Sequence, residues 1–97
     1  MKRKEYTHED FEKEFLKSPK MREAYETGVT QLLIAHQIAE LRERYNMTQA
    51  ELAKKLHTTQ QVVSRFESDR YKPSLTTLER IAHVFKQRLE VKFISIL

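Results

Sequence analysis

The stretch from Asn46 to Glu67 constrains the fold of this chain most strongly, because it contains two helix starts close together. Thr48 stands three positions before Glu51, which is the capping-box spacing that satisfies backbone N–H groups at the start of a helix. Thr59 provides a second N-cap, and the apolar pattern is interrupted at residues 57–58. The sequence therefore predicts two short helices joined by a tight turn.

The two predicted helices each have one apolar face. Leu52 and Leu56 share a face of the first helix, and Ala53 between them is small enough for a close helix crossing. In the second helix the apolar positions are Val62, Val63 and Phe66. This pattern leaves five side chains to face outward from the second helix, namely Thr59, Gln60, Gln61, Ser64 and Arg65.

These outward side chains suit the recognition of DNA bases. A helix in the major groove presents its N-terminal residues to base edges, where Gln pairs with adenine and Arg pairs with guanine. Gln49 begins the first helix and is placed to contact the sugar–phosphate backbone. The alternative from the residues alone is an ordinary helical hairpin with a solvated polar face.

Residues 37–85 resemble the Cro/C1-type (XRE) helix-turn-helix domain through Thr48-Gln-Ala-Glu-Leu-Ala53, Thr58-Thr-Gln-Gln61 and Ser64-Arg-Phe-Glu67. The resemblance implies a mostly α-helical, five-helix domain, which we place at residues 29–87. It also implies phosphate contact by Gln49, base contacts by Gln60, Gln61 and Arg65, and positions near the DNA backbone for Ser64 and Lys72. His57 and Asp69 stand where the family usually has glycine, so positive φ is expected at both positions.

Composition agrees with one small domain in a reducing compartment, because the 97 residues include 33% charged residues and no cysteine. Residues 1–28 hold 7 Lys/Arg and 7 Asp/Glu, whereas residues 29–97 hold 11 Lys/Arg and 7 Asp/Glu. The basic excess therefore lies with the predicted DNA-reading helices. No apolar run approaches the ~20 residues that span a bilayer, and the polar N-terminus is unlike a signal peptide. We expect a cytoplasmic protein.

The segment 1–28 is predicted to be a helical extension. A capping box at Thr7 to Asp10 begins one helix, and Ser18-Pro19 begins another. The sequence leaves open whether Gly28 ends a helix or lies inside a long one. Further along, Asn46 is expected to be a left-handed C-cap, and Ser74 is expected to cap a last helix with an inward face of Leu75, Leu78, Ile81, Ala82 and Phe85.

The C-terminal segment 88–97 changes to the two-residue period of a β-strand. Leu89, Val91 and Phe93 alternate with charged residues. A lone strand needs a partner for its backbone groups, and a second copy of the chain would give an antiparallel homodimer. Such a dimer would present its two reading helices to the half-sites of a palindromic operator, roughly 34 Å apart. The alternative is an extended arm packed against its own helices.

The whole chain is similar to HigA-type antitoxins, through Glu9-Asp-Phe11, Ser18-Pro-x-Met-x-x-Ala-Tyr25, the Cro/C1-type domain and the closing strand. That resemblance implies an antitoxin that neutralises a RelE/HigB-like mRNA-cleaving toxin and represses its own operon. Phe11, Phe15 and Tyr25 are then the candidate toxin contacts. The alternative is a solitary phage-type transcriptional repressor without a toxin partner.

Catalysis has little support in the sequence. The four histidines, at positions 8, 36, 57 and 83, are scattered, and no paired spacing indicates a zinc site. No glycine-rich loop is present to hold a phosphate. We expect a binding protein that is not an enzyme and uses no metal or cofactor.

Overall fold

A computed structural model describes residues 17–27, 30–69, 71–93 and 95 of the chain. The described residues form five helices: α1 (Pro19–Thr27), α2 (Thr30–Arg44), α3 (Gln49–Lys55), α4 (Gln60–Phe66) and α5 (Leu75–Val84). Helices α3 and α4 are the two short helices that the capping pattern predicts. Among the described residues, no helix is long and apolar enough to cross a membrane.

Side-chain caps begin the last three helices. The Thr48 hydroxyl accepts the Glu51 N–H at 3.1 Å, and the Glu51 carboxylate accepts the Thr48 N–H at 2.8 Å. Hydrogen bonding to the carboxylate by Thr48, first from its backbone N–H and then from its side chain, lowers the pKa of Glu51 below its ordinary value, because it favours the ionised form. Thr59 caps α4 and Ser74 caps α5 in the same way, through the N–H groups three residues on. The three predicted N-caps are confirmed.

Helix ends use the left-handed backbone region. Asn46, His57 and Lys86 have φ of 52°, 57° and 54°. The expectations for Asn46 and His57 are therefore confirmed. The expectation for Asp69 is wrong, because it is not among the described non-glycine residues with positive φ. Helix α4 instead ends in a right-handed turn, with Glu67 at φ −93° and ψ 11°.

The core lies where α3, α4 and α5 pack against α2. Its fully buried centre is Leu52 with Val63, and Ala53 is buried beside them where α3 and α4 pack together. The remaining core residues are Ile38, Leu56, Phe66, Ile81 and Phe85. The inward face predicted for α5 is confirmed except at Leu75, which is 59% exposed because the first turn of α5 points this side chain away from the core.

Two finer predictions about the architecture find no support in the part of the chain that the structure describes. Between residues 29 and 87 there are four described helices rather than five, and α1 belongs to the N-terminal extension. The described residues from 88 onward form no strand, because a strand needs a paired backbone and a single chain provides no partner for this segment. The helix predicted to begin at Thr7 lies outside the described residues. Gly28, for which the sequence allows either the end or the interior of a helix, also lies outside them.

Candidate nucleic-acid interface

Helix α4 presents a continuous polar face to the outside of the molecule. Successive helical residues are rotated by about 100°, so positions 60, 61, 64 and 65 fall on one side, and all four are exposed. On the opposite side, Val63 and Phe66 are buried and Val62 is partly buried. The buried face therefore fixes which side chains α4 offers to a partner, and the four are Gln60, Gln61, Ser64 and Arg65.

Thr59 begins this surface as the N-cap of α4. Its hydroxyl oxygen accepts the Val62 N–H at 3.3 Å. A threonine hydroxyl can donate one hydrogen bond while it accepts another. The exposed Thr59 side chain can therefore cap the helix and still donate to an external acceptor such as a phosphate oxygen.

An ion pair holds the C-terminal end of α4 to α2. Arg42 on α2 donates to both carboxylate oxygens of Glu67, from Nε at 2.7 Å and from Nη2 at 3.1 Å. Its Nη1 also donates to the Met47 carbonyl oxygen at 2.8 Å. The hydrogen bond with Glu67 raises the pKa of Arg42 above its ordinary value. The two side chains are only 14% and 7% exposed, so little water competes for the pair.

Gln49 joins this ion pair from the first position of α3. Its amide Nε2 donates to Glu67 Oε1 at 3.1 Å. An amide nitrogen carries two N–H groups, so a second donor on the same atom can serve a phosphate. Glu67 is thereby bound to α2 and α3 together, and we name Arg42, Gln49 and Glu67 the clasp.

The clasp also governs the charge of the interface. Glu67 follows α4 directly, where an unpaired carboxylate would repel DNA phosphates. Two hydrogen bonds from Arg42 neutralise it and direct it inward. The role of Arg42 is not recognisable from the sequence, because no helical period relates residues that lie 25 positions apart. A charged residue at the end of an amphipathic helix is the only signal that points to such a pair.

The loop after α4 is anchored by aromatic packing. The Tyr71 ring lies 5.4 Å from the Phe66 ring, centroid to centroid, at an interplanar angle of 43°. Phe66 is itself part of the core, and the exposed Lys72 follows Tyr71. Lys72, for which the resemblance implies a position near the DNA backbone, thus directly follows a tyrosine that packs on the last residue of α4.

The other predicted site residues belong to the N-terminal and C-terminal segments of the chain. Tyr25 on α1 is 41% exposed, whereas Phe11 and Phe15 lie outside the described residues. In the C-terminal segment Leu89 is partly buried, and Val91 and Phe93 are 66% and 103% exposed. Among the described residues, no group of three or more His, Asp or Glu side chains is placed to hold a metal ion.

Comparison with known proteins gives consistent matches for the helical body of the chain. Residues 38–91 match the family described as Helix-turn-helix. An uncharacterized HTH-type transcriptional regulator from Archaeoglobus fulgidus is 44% identical over 57 residues, which cover 59% of this chain and 81% of the relative. A second such regulator from the same organism is 40% identical over 57 residues, covering 59% and 80% of the two chains. No solved structure matches.

Proposed function

This chain belongs to the Helix-turn-helix family, and from that premise we propose that it is a sequence-specific DNA-binding repressor of transcription. The observation that carries the proposal is the exposed polar face of α4, with Gln60, Gln61 and Arg65 set opposite a buried apolar face. The two relatives from Archaeoglobus fulgidus bear the name of transcriptional regulators, which agrees with this function.

We assign different roles to the two groups of polar residues. Gln60, Gln61 and Arg65 contact base edges, since Gln and Arg make the two-bonded contacts that distinguish adenine and guanine. The residues at the edges of the surface bind the sugar–phosphate backbone and fix the orientation of α4 in the groove. These backbone-contacting residues are Gln49, Thr59, Ser64 and Lys72.

The clasp supports this assignment in two ways. It removes the charge of Glu67 from the DNA-facing side, and it fixes the orientation of Gln49 relative to α4. Base readout needs side chains held on a rigid element, because a shift of about 1 Å disrupts two-bonded contacts. The net charge of +4 is small, so the arrangement of donors supplies most of the preference for DNA over other polyanions.

The repressor is proposed to act as a homodimer on a palindromic operator. Two copies related by a two-fold axis would place two α4 helices in successive major grooves, roughly 34 Å apart. Leu89, Val91 and Phe93 supply the dimer contact, because two of the three are exposed apolar side chains in the described segment. In this assignment residues 29–87 read DNA and residues 88–97 join the two copies.

A second activity is proposed for residues 1–28, namely neutralisation of a RelE/HigB-like mRNA-cleaving toxin. This extension precedes residues 38–91 that match the family, so the DNA-binding body does not account for it. It is net neutral and rich in aromatic and acidic residues, including the half-exposed Tyr25 on α1. The acidic run from Glu9 to Glu14, with the aromatic residues set in it, is suited to bind a basic RNA-cleaving protein. The alternative is a solitary repressor, and in either case the protein acts by binding, without catalysis or a cofactor.

The DNA-binding function is tested by selecting bound duplexes from a random pool with the purified full-length protein. We expect enrichment of one motif with two-fold symmetry. The matched variants are Arg65→Ala on the polar face of α4 and Lys54→Ala, an exposed lysine at the end of α3. Arg65→Ala should weaken the base preference within the enriched motif, and Lys54→Ala should enrich the same motif as the wild type. A wild-type protein that enriches no motif would overturn the proposal.

The toxin-binding function is tested by coexpression with the neighbouring small open reading frame. If that product is a toxin, the full-length chain should retain it on purification and protect the cells. Tyr25→Ala should weaken retention of the toxin and leave DNA binding unchanged. Arg65→Ala should weaken DNA binding and leave retention of the toxin unchanged. A wild-type chain that never retains the product favours the solitary repressor.

A further inference from the structure

The segment 89–93 separates charged from apolar side chains with the period of a strand. Lys92 Nζ lies 3.3 Å from Glu90 Oε1, so these alternate side chains meet on one side of the segment. Leu89, Val91 and Phe93 occupy the intervening positions. A segment with one charged and one apolar side is suited to pair along its edge and to bury its apolar side.

The charges of this segment are self-complementary about its central residue. Glu90 and Lys92 stand at equal distances in sequence on either side of Val91 and carry opposite charges. Both side chains are 58% exposed, so each can exchange its contact within the chain for one with another copy. A two-fold axis through Val91 therefore brings each charge to an opposite charge.

We infer that two copies of the chain pair antiparallel in one register, in which Val91 faces Val91 of the second copy. This inference rests on the homodimer proposed above and specifies its contact. Glu90 then lies opposite Lys92 of the other copy, and Leu89 lies opposite Phe93. Because the axis repeats every contact, the interface contains both Glu–Lys pairs and one continuous apolar face.

The other simple registers are less favourable. Centring the axis on residue 90 places Glu90 opposite itself and Arg88 opposite Lys92, and centring it on residue 92 places Lys92 opposite itself. Parallel pairing in register also sets like charges side by side. A shift by a single residue places apolar side chains opposite charged ones. Centring the axis on residue 89 pairs Arg88 with Glu90, but it places Lys86 opposite Lys92 and Val91 opposite Gln87. Like charges directly opposite each other destabilise a strand pair. Of these registers, the one centred on Val91 is the one that combines two opposite-charge pairs with three apolar pairs.

Single-cysteine variants of the full-length protein test this register directly, because the chain has no native cysteine. In an antiparallel pair the Cα atoms of directly opposite residues are about 4.5–5.5 Å apart, a distance that a disulfide between two cysteines spans. Val91→Cys should form a disulfide-linked dimer under mild oxidation. Glu90→Cys and Lys92→Cys should each link poorly alone, but a mixture of the two should link efficiently.

Charge reversal provides an independent readout by sedimentation equilibrium. Glu90→Lys or Lys92→Glu replaces two attractive pairs with two repulsive ones and should weaken the dimer on the order of tenfold. The double variant should restore dimerisation, and a mixture of the two single variants should form mixed dimers. Glu79→Lys, which makes the same charge change on α5, is the control and should leave dimerisation unchanged.

The outcomes separate this register from the broader proposal. The register is wrong if neither charge reversal changes the dissociation constant of the dimer. It is also wrong if cysteines at position 90 alone, or at position 92 alone, link the two copies efficiently. Either result leaves the proposed homodimer intact. A wild-type protein that remains monomeric at all concentrations overturns the register and the homodimer together. If that monomer still selects one DNA motif, the DNA-binding function is retained.

Discussion

Removing Glu67 should destabilise the fold strongly, although this residue lies at the end of a short helix. Glu67→Ala removes the acceptor of two hydrogen bonds from Arg42 and one from Gln49. It also leaves Arg42, whose side chain is 14% exposed, without the carboxylate that pairs with its charge. Breaking a fully buried ion pair costs about 3–5 kcal/mol. Because water partly reaches Arg42, we expect a loss of about 3 kcal/mol in the free energy of unfolding.

The paired variants show whether this loss comes from the interaction itself. Arg42→Met alone should also cost about 3 kcal/mol, because it leaves the Glu67 carboxylate, with its side chain 7% exposed, without its cation. The double variant Arg42→Met with Glu67→Ala should cost much less than the sum of the two single losses, with a coupling energy of about 2–3 kcal/mol. Glu43→Gln, an exposed carboxylate beside Arg42 on α2, is the control and should change stability by less than ~0.5 kcal/mol.

The assay is urea unfolding followed by far-ultraviolet circular dichroism, with the slope against urea compared among variants. A loss of 3 kcal/mol should lower the thermal midpoint by about 12–24 °C in a domain of this size. If the two single-variant losses simply add in the double variant, to within about 0.5 kcal/mol, the clasp is not a coupled unit and the reasoning is refuted.

Two other substitutions test the local backbone and the capping box. Lys86→Gly should raise the free energy of unfolding by about 0.5–1 kcal/mol in urea unfolding, because Lys86 has φ of 54° and a glycine meets no steric cost there; a loss of stability would contradict this. Glu51→Gln tests the capping carboxylate, whose pKa lies below its ordinary value of 4.5 in the folded chain. The stability that the ionised carboxylate contributes is fully present above its ordinary pKa and is lost as the pH falls through the lower pKa of the folded chain. The difference in thermal midpoint between wild type and Glu51→Gln should therefore be constant above about pH 5 and shrink below it; a pH-independent difference would argue against the ionised cap.

The sequence predicts those parts of the fold that depend on local interactions. Thr48, Thr59 and Ser74 are recognisable as caps because a cap involves residues only three positions apart. The polar face of α4 is predictable for the same reason, since the helical period assigns Val63 to the core and Arg65 to the surface.

The features that the sequence does not predict depend on contacts between residues far apart in the chain, which no local pattern contains. The bond between Arg42 and Glu67 joins separate helices, and its partners become neighbours only after the helices pack. Leu75 fits the apolar period of α5, yet its turn extends beyond the core. The strand predicted for residues 88–97 needs a second backbone, which a single chain does not supply.

The most direct test of the central claim is the ratio of affinities for the selected duplex and a shuffled duplex, measured by fluorescence anisotropy at fixed salt. Arg65→Ala should reduce this ratio by at least about tenfold and change binding to the shuffled duplex by less than about threefold. Lys72→Ala should weaken binding to both duplexes equally and leave the ratio unchanged. A wild-type ratio near one, or an equal loss on both duplexes for Arg65→Ala, would contradict base reading by α4.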